Sequence, residues 1–356
     1  MAISDRLTNP IGRITARPSP FRKRRAGAII GGMKLPLALA AAALCAAPAF
    51  AQDGRQPPPA PQSEPTPKQI ADSAPAAEWT EIAPEDLMII TLAPTETGEE
   101  RQIVIRLMSA PFAQGWVDNL RLLTKTRWYD GLWVYRLVDN FVVQWGDPAS
   151  DPDAGETPRP LPDEIVLSPE SDYVHHTGLT ATVADPCADD GFDSAAICDN
   201  FAPAAGFREG WPVAWDDSSI WPIHCYGMVG VGRNESPDTG TGSELYAIIG
   251  HAPRRLDRNL ALVGRVIEGM DHFAALPRGH GRMNTYKDKN TRTLVVSVRL
   301  ASELEDAPRF EYLSTEGESF ARMAKVFATG TNEFYTISAG DTDVCAVPLP
   351  VRRVSE

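Results

Sequence analysis

Arg136, Phe141 and Gln144 are the three residues of this sequence whose types and spacing are best suited to chemistry. They lie within residues 134–147, which are predicted to form two short apolar strands around a tight Asp-Asn turn, because both the alternation and the turn residues fit a hairpin. Such a hairpin would hold a permanently charged hydrogen-bond donor, an aromatic ring and an amide close together. No nucleophile is among the three, so their chemistry would be hydrogen bonding and apolar packing.

The order and spacing of these residues resemble the signature of cyclophilin-type peptidyl-prolyl cis-trans isomerases. In that family an arginine, a phenylalanine and a glutamine follow one another at these intervals, and a Gly-Asp pair comes next, here Gly146-Asp147. Further segments extend the resemblance, in the same order, over roughly residues 87–302. They are Val117-Asp-Asn-Leu-Arg121, Gly227-Met-Val-Gly230, Ser243-Glu-Leu-Tyr246, Leu256-Asp257, Val263-Gly-Arg-Val266 and Glu268-Gly-Met270.

The resemblance implies an isomerase that acts on proline-containing segments of unfolded or exported proteins, with Arg136, Phe141 and Gln144 as its catalytic residues. Arg136 would donate to the prolyl nitrogen of a twisted Xaa-Pro amide, and Gln144 would orient Arg136 or bond the substrate carbonyl. The reaction requires only that the twisted amide bind better than either planar isomer, so no cofactor or metal is expected. The implied substrate-binding residues are Val142, Met228, Val229, Gly230, Glu244, Tyr246, Leu256 and Leu260.

Several positions depart from the family pattern. Val229-Gly230 stands where Ala-Asn is usual, Glu244 replaces a glutamine, Arg255 a tryptophan and Leu260 a histidine. These changes alter polar contacts with a bound peptide. A second interpretation is therefore a proline-peptide-binding module, or a chaperone or scaffold, that keeps the barrel with weak catalysis. The retained Arg136 and Gln144 favour the enzyme.

The elements that must position these residues are mainly strands. Many short apolar segments, few helical patterns and no alternation of strand with helix predict an all-β barrel or sandwich. The resemblance implies an eight-stranded antiparallel closed barrel capped by two helices. Strands are predicted at 87–92, 103–107, 221–228, 245–249, 260–266 and 293–300, and helices at 111–126 and 267–275.

The chain is expected to divide around a barrel domain at residues 87–302. Residues 1–51 are expected to be a signal peptide, because a basic run precedes a short Ala-rich apolar segment and small residues follow it; a retained membrane anchor is the alternative. Met33 is a plausible true start. The other expected parts are a Pro-rich linker at 52–86, a long loop insertion at 148–215 and a C-terminal extension at 303–356 that is helical over 303–340.

Charge and cysteines indicate the compartment and exclude some partners. The formal net charge is −13, and it is more negative without the basic residues 1–51, so nucleic-acid binding is not expected. The four cysteines that follow residue 51 are an even number, which in an exported chain favours disulfides, and we predict Cys187–Cys198 and Cys225–Cys345; a zinc site is the alternative but lacks the usual ligand spacing. We expect a periplasmic protein without stable membrane insertion after signal cleavage. Its oligomeric state and its clients stay open.

Overall fold

A computed structural model of the chain describes residues 64–147, 157–176, 199–338, 340 and 342–354. Within these residues the α-helices are α1 (Pro67–Asp72), α2 (Gln114–Lys125), α3 (Met270–Ala274) and α4 (Glu318–Thr329). The β-strands are β1 (Trp79–Glu81), β2 (Leu87–Leu92), β3 (Arg101–Leu107), β4 (Trp133–Leu137), β5 (Val142–Gly146), β6 (His175–His176), β7 (Ala204–Arg208), β8 (Trp211–Trp215), β9 (Ser219–Pro222), β10 (Met228–Val231), β11 (Glu244–Ile248), β12 (Leu262–Glu268), β13 (Thr293–Leu300), β14 (Phe310–Leu313) and β15 (Val351–Arg353).

Eight antiparallel strands close into a barrel in the order β10-β11-β5-β4-β13-β2-β3-β12. Closure leaves no strand edge unpaired, which suits strands as apolar as β2 and β3. These two strands pair over their whole common length, and most of their side chains are buried. The predicted mainly β fold with a closed eight-stranded barrel is confirmed.

Helices α2 and α3 lie within the two predicted helical ranges and pack against the barrel. The apolar stripe of α2 buries Trp116 and Leu120, and the indole Nε1 of Trp116 donates to the carbonyl oxygen of Gly240 at 3.0 Å. On α3, the ring of Phe273 stacks on Trp145 of β5 with ring centroids 5.0 Å apart. The strand that carries Gln144 is therefore fixed from behind by an aromatic pair.

The expected loop insertion at 148–215 contributes three strands to a second sheet, which corrects the prediction of a loop there. Strands β6, β9, β8 and β7 form a four-stranded antiparallel sheet. Strands β7 and β8 are joined by Glu209-Gly210, and both residues have positive φ, as a two-residue hairpin turn requires. The strand predicted at 221–228 is also divided: β9 ends at Pro222 in this sheet, and β10 begins at Met228 in the barrel.

Arg106 of β3 attaches the second sheet to the barrel. Its guanidinium carbon lies 4.5 Å from the ring centroid of Trp211 and 4.0 Å from that of Tyr312, and its Nη2 donates to the carbonyl oxygen of Glu209 at 3.0 Å. Because Trp211 lies in β8 and Tyr312 in β14, one buried cation joins the barrel, the second sheet and the C-terminal extension.

Part of the expected linker folds together with the C-terminal extension. Strand β1 pairs with β14, and β14 pairs with β15, so a third sheet joins the two segments. Helix α1 begins with a capping box between Thr66 and Gln69 and buries Ile70. Residues 67–86 of the predicted linker therefore contain helix α1 and strand β1, and the range 303–340, predicted as helical, contains strand β14 before α4.

A disulfide joins Cys225 to Cys345, as predicted, with the two Cα atoms 5.0 Å apart. It ties the segment between β9 and β10 to the C-terminal extension. The other predicted pair, Cys187–Cys198, lies outside the described residues, as does the expected signal peptide. Among the residues that the structure describes, no helix combines the length and the apolar character needed to cross a membrane.

Candidate active site

The hairpin of β4 and β5 brings Arg136 and Gln144 directly opposite each other. The guanidinium Nη1 of Arg136 donates to the side-chain oxygen of Gln144 at 2.9 Å, and its Nε donates to the carbonyl oxygen of Met283 at 2.7 Å. Two bonds from different directions restrict the long arginine side chain to one orientation. The Nη2 group of Arg136 and the Nε2 group of Gln144 make no hydrogen bond to any described residue, so both can donate to a ligand.

A groove of about 440 Å³ lies beside this pair. Arg136, Phe141 and Gln144 all line it, so the structure brings the three expected catalytic residues together. Of the expected substrate-binding residues, the groove is lined by Val142, Glu244, Tyr246, Leu256 and Leu260. The lining combines apolar side chains with the donors of Arg136 and Gln144, a composition suited to a small apolar ring attached to an amide.

Met228, Val229 and Gly230 do not line the groove, although the resemblance assigned them to it. All three are buried in β10, where the barrel strands cover them. Gly230 pairs with Tyr246, whose ring occupies the space that a side chain at this position would need. The ring of Tyr246 therefore forms the wall of the groove at this point.

Tyr135 and the loop at 282–292 belong to the groove but were not predicted from the sequence. The strand pairing shifts register between Val134 and Arg136, which is typical of a β-bulge. A bulge places neighbouring side chains on one face, so Tyr135 and Arg136 both line the groove although strict alternation would separate them. The hydroxyl of Tyr135 donates to the carboxylate of Glu244.

The groove contains charges of both signs. Burial lowers the pKa of Arg136 from its ordinary value, while Tyr135 and Glu244 act in the opposite direction. An arginine in this situation still carries its proton at neutral pH. The guanidinium of Arg255 lies 5.4 Å from the ring centroid of Phe141, so the residue that replaces the usual tryptophan packs on a predicted site residue.

The described part of the chain contains no group of three or more His, Cys, Asp or Glu side chains arranged to hold a metal ion. The groove offers a fixed cationic donor, an amide donor and apolar side chains. These can bind an amide and favour one of its geometries over another.

Residues 93–299 match the family model described as cyclophilin type peptidyl-prolyl cis-trans isomerase/CLD. The chain is also similar in structure to the cyclophilin AquaCyp293 from Hirschia baltica, with 22% sequence identity, a TM-score of 0.58, and 82% of this chain and 99% of that chain covered. A cyclophilin-type isomerase from Cryptosporidium parvum, solved in the presence of the dipeptide Ala-Pro, is 12% identical and covers 60% of this chain and 97% of its own, with a TM-score of 0.34. No curated protein matches the chain.

The family match spans more than half of the chain, and its range contains all the residues that line the groove. The closed barrel agrees with it. This chain belongs to the cyclophilin-type peptidyl-prolyl cis-trans isomerases.

Proposed function

We propose that this protein accelerates the cis-trans isomerisation of Xaa-Pro bonds in exported proteins and that Arg136 is its principal catalytic residue. The observation that carries the proposal is the bond between Arg136 Nη1 and Gln144 beside an apolar wall. It fixes a charged donor at the position where a bound prolyl amide would change its geometry.

The chemistry required is the rotation of an amide. Amide resonance opposes this rotation with a barrier of about 18–20 kcal/mol, so Xaa-Pro bonds isomerise over tens of seconds or more without a catalyst. In the twisted state the prolyl nitrogen regains its lone pair and can accept a hydrogen bond. A donor aimed at that nitrogen lowers the barrier because it binds the twisted state better than either planar isomer.

The groove residues fit this division of roles. Arg136 Nη2, which has no other partner among the described residues, would donate to the prolyl nitrogen. Gln144 holds Arg136 through its side-chain oxygen and keeps Nε2 for the substrate carbonyl. Phe141, Leu256 and Leu260 provide apolar surface for the proline ring.

An extracytoplasmic location is part of the proposal. The basic and apolar pattern of residues 1–51 is typical of a secretory signal peptide. The Cys225–Cys345 disulfide supports an oxidising compartment, where such bonds persist. Exported proteins must fold there without cytoplasmic chaperones, and slow Xaa-Pro isomerisation is one of their rate-limiting steps.

The test is the cis-to-trans rate of a short Xaa-Pro peptide measured with the purified protein and with Arg136→Ala. We expect acceleration by the wild type and a loss of at least about tenfold in kcat/KM in the variant, equivalent to one charge-assisted hydrogen bond in the transition state. Arg322→Ala is the matched control, because Arg322 is exposed on α4 and its ion pair is with Glu64.

Two outcomes would contradict the proposal. Equal rates for the wild type and Arg136→Ala, with both proteins folded, would remove Arg136 from the mechanism. Binding of proline peptides without any acceleration would instead support the alternative of a binding module on the same barrel.

A further inference from the structure

The hydroxyl of Tyr246 is bonded within the protein, although the ring of this residue lines the groove. Tyr246 is 5% exposed, and its Oη lies 2.9 Å from Nε2 of His224. His224 lies in the segment between β9 and β10 and has no exposed surface. His224 is thus a buried titratable side chain that does not line the groove but contacts Tyr246, which does. The mechanism proposed above assigns no role to it.

A chain of buried polar groups fixes His224. Its Nδ1 lies 2.8 Å from Oδ1 of Asp257, and the backbone N–H of His224 donates to the same oxygen at 2.9 Å. The other carboxylate oxygen accepts from Nε of Arg254 at 2.5 Å. Arg254 in turn donates from both terminal nitrogens to Asp199, at 3.0 and 2.5 Å.

This network determines which atom carries each proton. Asp257 faces the permanently charged Arg254 and therefore acts as a carboxylate that only accepts hydrogen bonds. Nδ1 of His224 must then carry the hydrogen, which leaves Nε2 as an acceptor, so the hydroxyl of Tyr246 is the donor.

The charged groups facing His224 agree with this assignment. Burial lowers the pKa of His224 below its usual 6.5, Arg254 acts in the same direction, and Asp257 opposes them. Burial also raises the pKa of Tyr246, so its hydroxyl keeps its proton.

We propose that His224 is a positioning residue for the isomerase groove: it holds the Tyr246 hydroxyl away from the substrate, so that only the ring meets the proline. This inference rests on the proposed function. With the hydroxyl turned inward, the Tyr246 ring presents only carbon atoms to the groove. The hydroxyl then needs no change of partner when a peptide binds. The effect is on binding of planar and twisted amides alike, so it should appear in KM with little change in kcat.

The anchoring of His224 adds a second argument. The next residue, Cys225, is bonded to Cys345 of the C-terminal extension, while Asp199 supports the network from the insertion. The C-terminal extension and the insertion therefore both support the segment that holds His224.

The test is a double-mutant cycle of His224→Phe and Tyr246→Phe, with KM and kcat measured on one Xaa-Pro peptide and Kd measured by NMR titration. We expect His224→Phe to raise KM and Kd about fivefold when Tyr246 is present, the change expected for one ordinary hydrogen bond. In the Tyr246→Phe background the same substitution should change neither constant, because no hydroxyl remains to be held. An equal effect in both backgrounds would mean that His224 only stabilises the fold and would overturn the proposal.

Two further variants sharpen the cycle. His224→Gln keeps an acceptor near the Nε2 position and should restore most of the affinity that His224→Phe loses. His251→Phe is the matched control, because His251 is exposed outside the groove. Its constants should equal those of the wild type.

A measurement on the wild type keeps the proposal testable if His224 variants do not fold. Imidazole ¹⁵N NMR should show His224 protonated at Nδ1 and unprotonated at Nε2; the opposite tautomer would overturn the proposal. If the protein binds proline peptides without accelerating isomerisation, the proposed function fails, while Kd and the tautomer still decide the role of His224.

Discussion

The guanidinium of Arg136 is bonded at 2.9 Å to the side-chain oxygen of Gln144, the residue directly opposite it across the β4–β5 ladder. The pairing register of β4 and β5 therefore determines the orientation of the Arg136 guanidinium. Since α3 fixes β5 from behind through Phe273 and Trp145, that register is held by the core as well as by the backbone ladder. The site thus combines a donor held by the barrel with one loop contact, the carbonyl oxygen of Met283.

Gln144→Ala should impair catalysis because Arg136 loses one of its two fixed bonds and the groove loses an amide donor. We expect kcat/KM for an Xaa-Pro peptide to fall about tenfold, which corresponds to roughly 1.4 kcal/mol. Gln102→Ala, on the exposed side of β3, is the matched control and should leave kcat/KM unchanged. An unchanged kcat/KM in Gln144→Ala would show that Met283 alone is sufficient to orient Arg136.

Arg106→Ala should destabilise the fold without altering the groove chemistry. The substitution removes a buried guanidinium from between Trp211 and Tyr312, and so loosens the second sheet from the barrel. We expect the free energy of unfolding in urea to fall by about 2–4 kcal/mol. Arg309→Ala, at an exposed ion pair with Glu81, should cost less than about 1 kcal/mol. Similar losses for the two variants would mean that the stacked cation contributes little.

The residues of the hairpin could be predicted from the sequence because they depend on local patterns. Alternation and the Asp139-Asn140 turn residues predict the hairpin. The exact register was not predictable, because a two-residue turn would place Val143 opposite Arg136, whereas the structure has three loop residues, 139–141, between Val138 and Val142 and so pairs Arg136 with Gln144. Tyr135 could not be predicted in the groove, because a bulge reverses the face of one side chain without leaving a sequence signal. His224 is separated by 22 residues from Tyr246 and by 33 from Asp257, and it lies outside any periodic element, so only the fold brings the three together.

The second sheet was missed for a different reason. Its strands β7 and β8 are rich in Ala, Gly and Pro, residue types that are depleted in strands or confined to edges and bulges. Trp211 and Phe207 supply the burial that holds them, and that burial depends on partners far away in the sequence. The Glu209-Gly210 turn was the one local signal available.

Asp130 should make stability depend on pH in the acid range. Burial alone would raise the pKa of this carboxyl, but two hydrogen bonds from Arg299 and one from the backbone N–H of Val298 lower it below its ordinary 3.8. A lowered pKa in the folded state means that the contribution is present above the pKa of the unfolded chain. It is lost as the pH falls through the folded value.

The corresponding measurement is the free energy of unfolding of wild type and Asp130→Asn at about pH 7 and about pH 3. The variant should be less stable than the wild type near neutrality. The gap should narrow as the pH falls below 3.8, because the unfolded chain then binds a proton at this carboxyl more readily than the folded protein does. Asp118→Asn, on the exposed face of α2, serves as the control and should stay within about 0.5 kcal/mol of the wild type at both values. A gap that stays constant with pH would mean that the charge of Asp130 does not contribute.

The Cys225–Cys345 disulfide should contribute more to stability than any single side-chain contact in the groove. It closes a segment with a sequence separation of 120, and a crosslink over a long segment restricts the unfolded chain strongly. We expect Cys345→Ala to lower the free energy of unfolding by about 2–5 kcal/mol. Cys225→Ala should show a similar loss, and the double variant should show little more, because both substitutions remove the same bond. If the losses in unfolding free energy of the two single variants add up in the double variant, each cysteine stabilises the fold through its own packing. The C-terminal extension would then be held to the barrel mainly by contacts such as that of Arg106 with Tyr312.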